Sequence, residues 1–116
     1  DSVGGLEFTV VKTTHDIIRL GVQLNNCVGT YVEKVKEQKC AIVGVFENSR
    51  PVACIEVNPT EDSDGFVEIH QAKLKNNRGV RDNHNINYAV CQWVKKHKLQ
   101  VPKYLGDIHF AKGGAM

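Results

Sequence analysis

Nothing in these 116 residues approaches the roughly 20 consecutive apolar residues that a membrane-spanning helix needs. The start, Asp1-Ser2-Val3-Gly4-Gly5, lacks the basic and apolar regions of a secretory leader. No Cys-x-x-Cys pair occurs, so neither a zinc ribbon nor a thioredoxin-type redox motif is written here. Glycine-rich phosphate loops, dinucleotide fingerprints, nucleophile elbows and internal repeats are also missing. These absences point to a cytoplasmic protein with no membrane partner, no resident metal and no cofactor. The four cysteines are spread out, three of them within apolar runs, and are expected to be reduced thiols.

What is present is ordinary for one globular domain. An apolar share of 41% and a charged share of 24% lie far from the balance that keeps chains disordered. The whole chain, 1–116, is read as a single domain. Its abrupt start and its end in Gly113-Gly114-Ala115-Met116 are also compatible with a module of a longer protein. The net charge of +2 hides an asymmetry: residues 1–71 hold 6 Lys/Arg against 11 Asp/Glu, whereas residues 72–103 hold 8 basic residues against Asp82 alone.

Residue patterns predict an α+β fold in the order β-α-α-β-β-β-α: an antiparallel meander of three to four strands packed with about three helices. Leu6 to Thr13 is rich in β-branched residues and reads as an edge strand. Thr14 is placed to cap a helix with Ile17, Leu20, Gly21 and Leu24 at helical spacing, ending near Asn25-Asn26. Thr30-Tyr31-Val32-Glu33 fits a capping box for a second helix. Cys40–Glu47 and Val52–Val57, joined by Asn48-Ser49-Arg50-Pro51, form a hairpin; Phe66–Lys75 follows as a strand. A last helix from Asp82 or Asn83 to about Lys98 carries Ile86, Ala89, Val90, Trp93 and Val94 on one face. A short hairpin turn pairs odd with even positions, which would put Val43 and Val45 with Val52 and Cys54, and Ile42 and Phe46 with Ala53 and Ile55. Both faces are apolar, so helices or a partner subunit must cover each.

Three groups of residues bear chemistry. Cys27 precedes the expected cap Thr30 and is a candidate nucleophile, against the plainer reading of a small buried thiol at a helix joint. Glu56 interrupts an apolar strand, where a carboxylate needs donors or has its pKa raised. One register places it beside Gln71 and Ile69 in a hydrogen-bonded pocket; the other groups it with Cys54, Glu68 and His70 as an acid/base or weak metal site. Lys73, Lys75, Arg78, Arg81, Lys95, Lys96, Lys98 and Lys103 would form one basic surface if the last strand and helix lay side by side. Such a surface attracts nucleic-acid phosphates, although a solvated helix end has the same composition.

As an ordered set, Leu24-Asn25-Asn26-Cys27-Val28-Gly29-Thr30-Tyr31, Pro51, Ile55-Glu56, Gln71 and Asn76 or Asn77 resemble the PcfJ-like family of conjugative plasmids and phages, over roughly residues 15 to 98. The resemblance implies a mobile-element context and singles out Cys27, Gly29, Tyr31, Glu56, Gln71 and Asn76, favouring the register that joins Glu56 to Gln71. Asn25-Asn26 stand where many relatives carry histidine, which weakens any His–Cys pairing. Two functions are therefore carried forward. The first is an accessory, nucleic-acid-associated domain using the basic strand-helix face. The alternative is a small hydrolase or nuclease whose pocket gathers Cys27, Tyr31, Glu56, Gln71 and Asn76.

Overall fold

A computed structural model describes residues 1–26, 31–60 and 63–110. Its elements are β1 (Ser2–Val3), β2 (Leu6–Val11), α1 (Thr14–Leu24), α2 (Val32–Lys36), β3 (Ala41–Glu47), β4 (Arg50–Thr60), β5 (Ser63–Leu74) and α3 (His84–Lys96), with short 3₁₀ turns at Lys75–Asn77 and Val80–Asp82. The expected α+β order holds, but the antiparallel sheet has five strands, β1-β2-β3-β4-β5, rather than three or four. The extra strand pairs only Ser2 with Glu7 and Val3 with Leu6, too short for alternation to reveal it. The tight turn between them relies on Gly4, whose positive φ of 60° suits glycine and where a Cβ would come within 2.9 Å of the Ala89 Cβ. No described helix is long and apolar enough to cross a membrane.

Helices cover both sheet faces. On one side α3 lays Ala89, Val90, Trp93 and Val94 against Leu6, Phe8, Val43, Val45, Ala53, Ile55, Val57 and Ile69. On the other, Ile17, Leu20 and Leu24 of α1 pack on Val11, Cys40, Ile42 and Cys54, with Tyr31, Val32 and Val35 at the margin. Thr13, one residue earlier than expected, caps α1 by accepting the Asp16 N–H at 3.1 Å. Asn25 closes the helix in the left-handed conformation, and Asn83 caps α3 by accepting the Ile86 N–H at 3.1 Å. Of the capping box proposed for α2, Thr30 lies outside the described residues, and Tyr31 stands at the cap position.

Two bulges decide which side chains share a face. The turn Asn48-Ser49 pairs Glu47 with Arg50 and Phe46 with Pro51, odd with even, as a two-residue loop dictates. The register then shifts, so that Val45 faces Ala53 and Val43 faces Ile55, leaving Val52 as the extra residue. The expected sharing is thereby corrected: Val43 and Val45 lie with Ala53 and Ile55 under α3, and Ile42 lies with Cys54 and Glu56 under α1. In β5 the pairing steps from Glu56↔Gln71 to Val57↔Ile69, which makes His70 the extra residue and leaves it exposed. That step lets Ile69 and Ala72 face α3 while Gln71 reaches Glu56.

The C-terminal segment seals the outer edge of β5. Ile69 N–H donates to the Gln100 carbonyl at 2.8 Å, and Gln100 N–H donates to the Val67 carbonyl at 2.7 Å. Further along, Asp107, only 9% exposed, accepts the Ala72 N–H at 3.0 Å and the Lys73 ammonium at 2.8 Å. Its own carbonyl accepts the Arg81 N–H at 2.8 Å, and a Cβ on Gly79 would approach its Cα within 3.0 Å. Replacing Asp107 with Ala strips two donors of their acceptor. It should lower unfolding free energy by about 1–3 kcal/mol in urea titrations, whereas exposed Lys103→Ala should change little.

Candidate functional site

The site starts from one side chain in the middle of the sheet. Glu56 is 2% exposed, projects from β4 toward the α1 side, and lies opposite Ile42 of β3 and Gln71 of β5. A carboxylate so deeply placed survives only if donors replace water. Gln71 Nε2 donates to its Oε1 at 2.9 Å. Asn58, oriented so that both of its amide atoms are satisfied, donates to Oε2 at 3.1 Å and to the Val57 carbonyl at 3.3 Å. The Cys40 thiol, at the entrance to β3, lies near enough to the same carboxylate for the charge of Glu56 to disfavour its thiolate.

Cys54 lies two residues before Glu56 on the same face, and its sulfur accepts the Asn26 side-chain amide at 3.4 Å. Burial, with a further contribution from the negative charge of Glu56, pushes both the Cys40 and the Cys54 thiols up to about 11. Lys34 opposes the rise at Cys40, and Asn26 opposes it at Cys54. Neither thiol is therefore poised as a thiolate at neutral pH. Lys34 itself lies 4.8 Å from the centre of the Tyr31 ring.

The sequence candidates scatter differently. Glu56 and Gln71 are bonded to one another. Tyr31 packs at the margin of the same layer. Asn76 joins α1, its Oδ1 accepting the Asn25 side-chain amide at 2.7 Å, rather than joining Glu56 directly. Cys27 lies outside the described residues. Of the alternative grouping of Glu56 with Cys54, Glu68 and His70, Cys54 shares the face of Glu56, while His70 is exposed at its bulge and does not join it. Cys40, Asn58 and Asn26 were missed as partners. Asn58 carried a signal, because two residues after Glu56 in a strand means the same face.

The basic residues divide into two sets rather than one surface. Lys73 is occupied by Asp107, while Lys75, Arg78 and Arg81 gather where β5 hands over to α3. Lys95, Lys96 and Lys98 lie at the far end of α3, a 13-residue helix and so roughly 20 Å away. There Lys96 pairs with the Asp1 carboxylate at 2.6 Å. Beside the first set opens a cavity of about 440 Å³, lined by Gln23, Lys75, Asn76, Arg78 and Asn83 over a floor of Leu24, Pro51, Val52, Leu74 and Ile86. No acidic residue is among these lining residues. Arg78 pairs with Asp82 at 3.2 Å, an exposed contact of small worth.

The family model for PcfJ-like proteins matches residues 2–87. The chain belongs to the PcfJ-like family. This membership supports the mobile-element context that the family resemblance implied, and the PcfJ-like stretch contains the whole Glu56 network and the 75–83 cavity but stops before Lys95. No curated protein matches. Among solved structures, the chain is similar to a ribosomal-protein-alanine N-acetyltransferase from Brucella melitensis biovar Abortus 2308. The identity is 6% and the TM-score 0.49, over 86% of this chain and 82% of that one, which carries no argument about activity.

Thiols whose pKa is raised by folding, here from 9.0 to about 11, favour the folded state below the unfolded value, and that contribution is lost as pH rises through the folded one. Stability is accordingly expected to fall between pH 9 and 11. A Cys40→Ala/Cys54→Ala variant should show a flatter decline across that window when thermal midpoints are compared.

Proposed function

We propose that this PcfJ-like chain serves as an accessory domain of a mobile genetic element and holds nucleic acid by its phosphates, through the cations at the start of α3. The observation that carries the reading is the cavity whose walls bear Lys75 and Arg78 without an acidic residue among them. Arg81 lies three residues on, and Asn76 and Asn83 add neutral donors at the same rim. Phosphate contacts of this kind release counterions and give affinity without base specificity. The weak, exposed ion pair between Arg78 and Asp82 is of a sort that a phosphate can replace.

Fluorescence anisotropy with labelled single- and double-stranded DNA over a salt series tests this. Log affinity should fall linearly with log salt, and Lys75→Glu/Arg78→Glu/Arg81→Glu should lower the slope on duplex by roughly 0.9 per lost contact. Lys95→Glu/Lys96→Glu/Lys98→Glu should leave it near the wild-type value. A response flat in salt, or one untouched by reversal at the α3 start, excludes the reading.

A hydrolase or nuclease reading is favoured by a different observation, the buried carboxylate of Glu56 with Gln71 and Asn58 bonded to it and Tyr31 at the margin of its layer. In that reading Glu56 acts as general base, a role usually worth 10²–10⁴-fold. Cleavage of DNA or RNA by the wild type, reduced by at least about 10²-fold in a folded Glu56→Gln variant, is then expected. Equal cleavage by the two proteins removes the proposal.

A further inference from the structure

The cavity beside the start of α3 has two parts, and phosphate contact uses only one of them. Lys75 and Arg78 stand on its wall, while its floor is built from aliphatic side chains of four elements: Leu24 of α1, Pro51 and Val52 of β4, Leu74 of β5 and Ile86 of α3. A phosphate, which keeps its charge in water, gains nothing from such a floor. Val52, the extra residue of the β4 bulge, packs with Leu74 and Ile86 against the α3-side core, and all three stay half-buried. They leave apolar surface at the bottom of a polar-walled hollow, and bulges commonly re-aim side chains beside binding sites.

The rim between floor and cations carries side-chain amides with hydrogen-bonding capacity left over. Asn76 uses its Oδ1 to accept the Asn25 amide and Asn83 uses its Oδ1 to accept the Ile86 N–H; among the described residues neither Nδ2 has an acceptor. Gln23, exposed on α1, has no hydrogen-bond partner among the described residues for either amide atom. A carboxamide presents a donor and an acceptor side by side, the pattern that pairs with the edge of a nucleobase. The cavity, about 440 Å³, is within the range of small-molecule sites, roughly 300–1,000 Å³. With no acid among its lining residues, an anionic chain can lie along the same wall.

We propose, building on the phosphate-holding reading above, that this cavity receives one unpaired nucleobase of a single-stranded nucleic acid. The apolar face of the base lies on Val52, Leu74 and Ile86, its polar edge meets the amides of Gln23, Asn76 and Asn83, and the flanking phosphates lie against Lys75 and Arg78. A nucleotide unit combines the three features that the cavity asks for: a flat apolar face, a hydrogen-bonding edge and an attached negative charge. In a duplex the edges are paired and the faces stacked, so the base must come from an unpaired strand. No aromatic ring is among the lining residues, so the contact is burial of the base on aliphatic groups rather than the ring stacking of many single-strand sites.

The probe is a short, end-labelled DNA strand of abasic residues with a single thymine at its centre, compared by anisotropy with the wholly abasic strand of the same length. Both carry the same phosphates, so the difference between them belongs to the base. The thymine strand should bind about tenfold more tightly at every salt concentration, giving parallel lines of log affinity against log salt. The same pair on a ribose backbone, with uracil as its one base, shows whether DNA or RNA is the better source, and a larger increment on either upholds the proposal. Val52→Trp fills the hollow from its floor and should erase the increment while leaving the salt slope intact. Gln23→Ala, at an exposed helix position, should reduce the increment about threefold, and it decides the question if circular dichroism shows Val52→Trp to be misfolded. Equal binding of the two strands with a retained salt slope overturns the base site and leaves the phosphate reading standing, whereas a response flat in salt overturns both. An increment unchanged in the folded cavity variants places the base elsewhere and overturns the proposal.

Discussion

A carboxylate in the centre of a sheet must be given donors by its neighbours, and most of the local irregularity of this fold follows from that demand at Glu56. A regular β5 would turn Gln71 and Ile69 to the same face. The bulge at His70 separates them, so that Ile69 stays in the α3 core while Gln71 crosses to Glu56. The bulge at Val52 does the same for β4, keeping Ala53 and Ile55 under α3 and setting Cys54 and Glu56 under α1. Bulges interrupt the ladder and leave a residue unpaired, and here both extra residues fall outside the buried layer, Val52 half-buried and His70 exposed. The distortion is small beside the desolvation of an unsatisfied carboxylate.

The same logic of satisfying polar groups accounts for the C-terminal segment. An edge strand leaves a row of donors and acceptors that water or another chain must meet. At β5 they are met internally, by Gln100 through its backbone and by Asp107 through its side chain. Asp107 also neutralises Lys73, so a residue from the basic strand is turned to structure rather than left for a ligand. Just beyond it stand Lys75, Arg78 and Arg81, of which Arg78 has only the exposed pair with Asp82 and Arg81 a contact to the Gly106 carbonyl.

Much of this was legible in the residues and some was not. α1 and α3 were readable because Ile17, Leu20 and Leu24, and Ala89, Val90, Trp93 and Val94, repeat at helical spacing and in fact face the core. The β3–β4 hairpin was readable from its turn, but its faces were not, since alternation is a local rule and one extra residue at Val52 reverses it. Glu56 announced itself as a carboxylate among apolar neighbours, and Gln71 followed from the family pattern. Cys40 did not, because a cysteine before an apolar run has the look of ordinary core. Asp107 gave no signal either: its partners, Ala72 and Lys73, are some 35 residues away and the bond to Ala72 is to backbone. Likewise the division of the basic residues was hidden, because composition counts charges without measuring the length of the helix between them.

The buried network and the cation-lined cavity are mechanically one unit. Asn25 and Asn26 are adjacent at the end of α1, where Asn25 takes the left-handed conformation that closes the helix. Asn25 holds Asn76, itself left-handed at φ 65° and part of the cavity wall; Asn26 holds Cys54, two residues from Glu56 on the same face. Gln23 and Leu24, immediately before them, also line the cavity. The end of α1 is thus fixed on one side by the layer around Glu56 and on the other by the turn that carries Lys75 and Arg78. A strained turn keeps a single geometry only when its surroundings over-determine it. What the polar layer beneath α1 holds in place is therefore the wall on which the two cations stand.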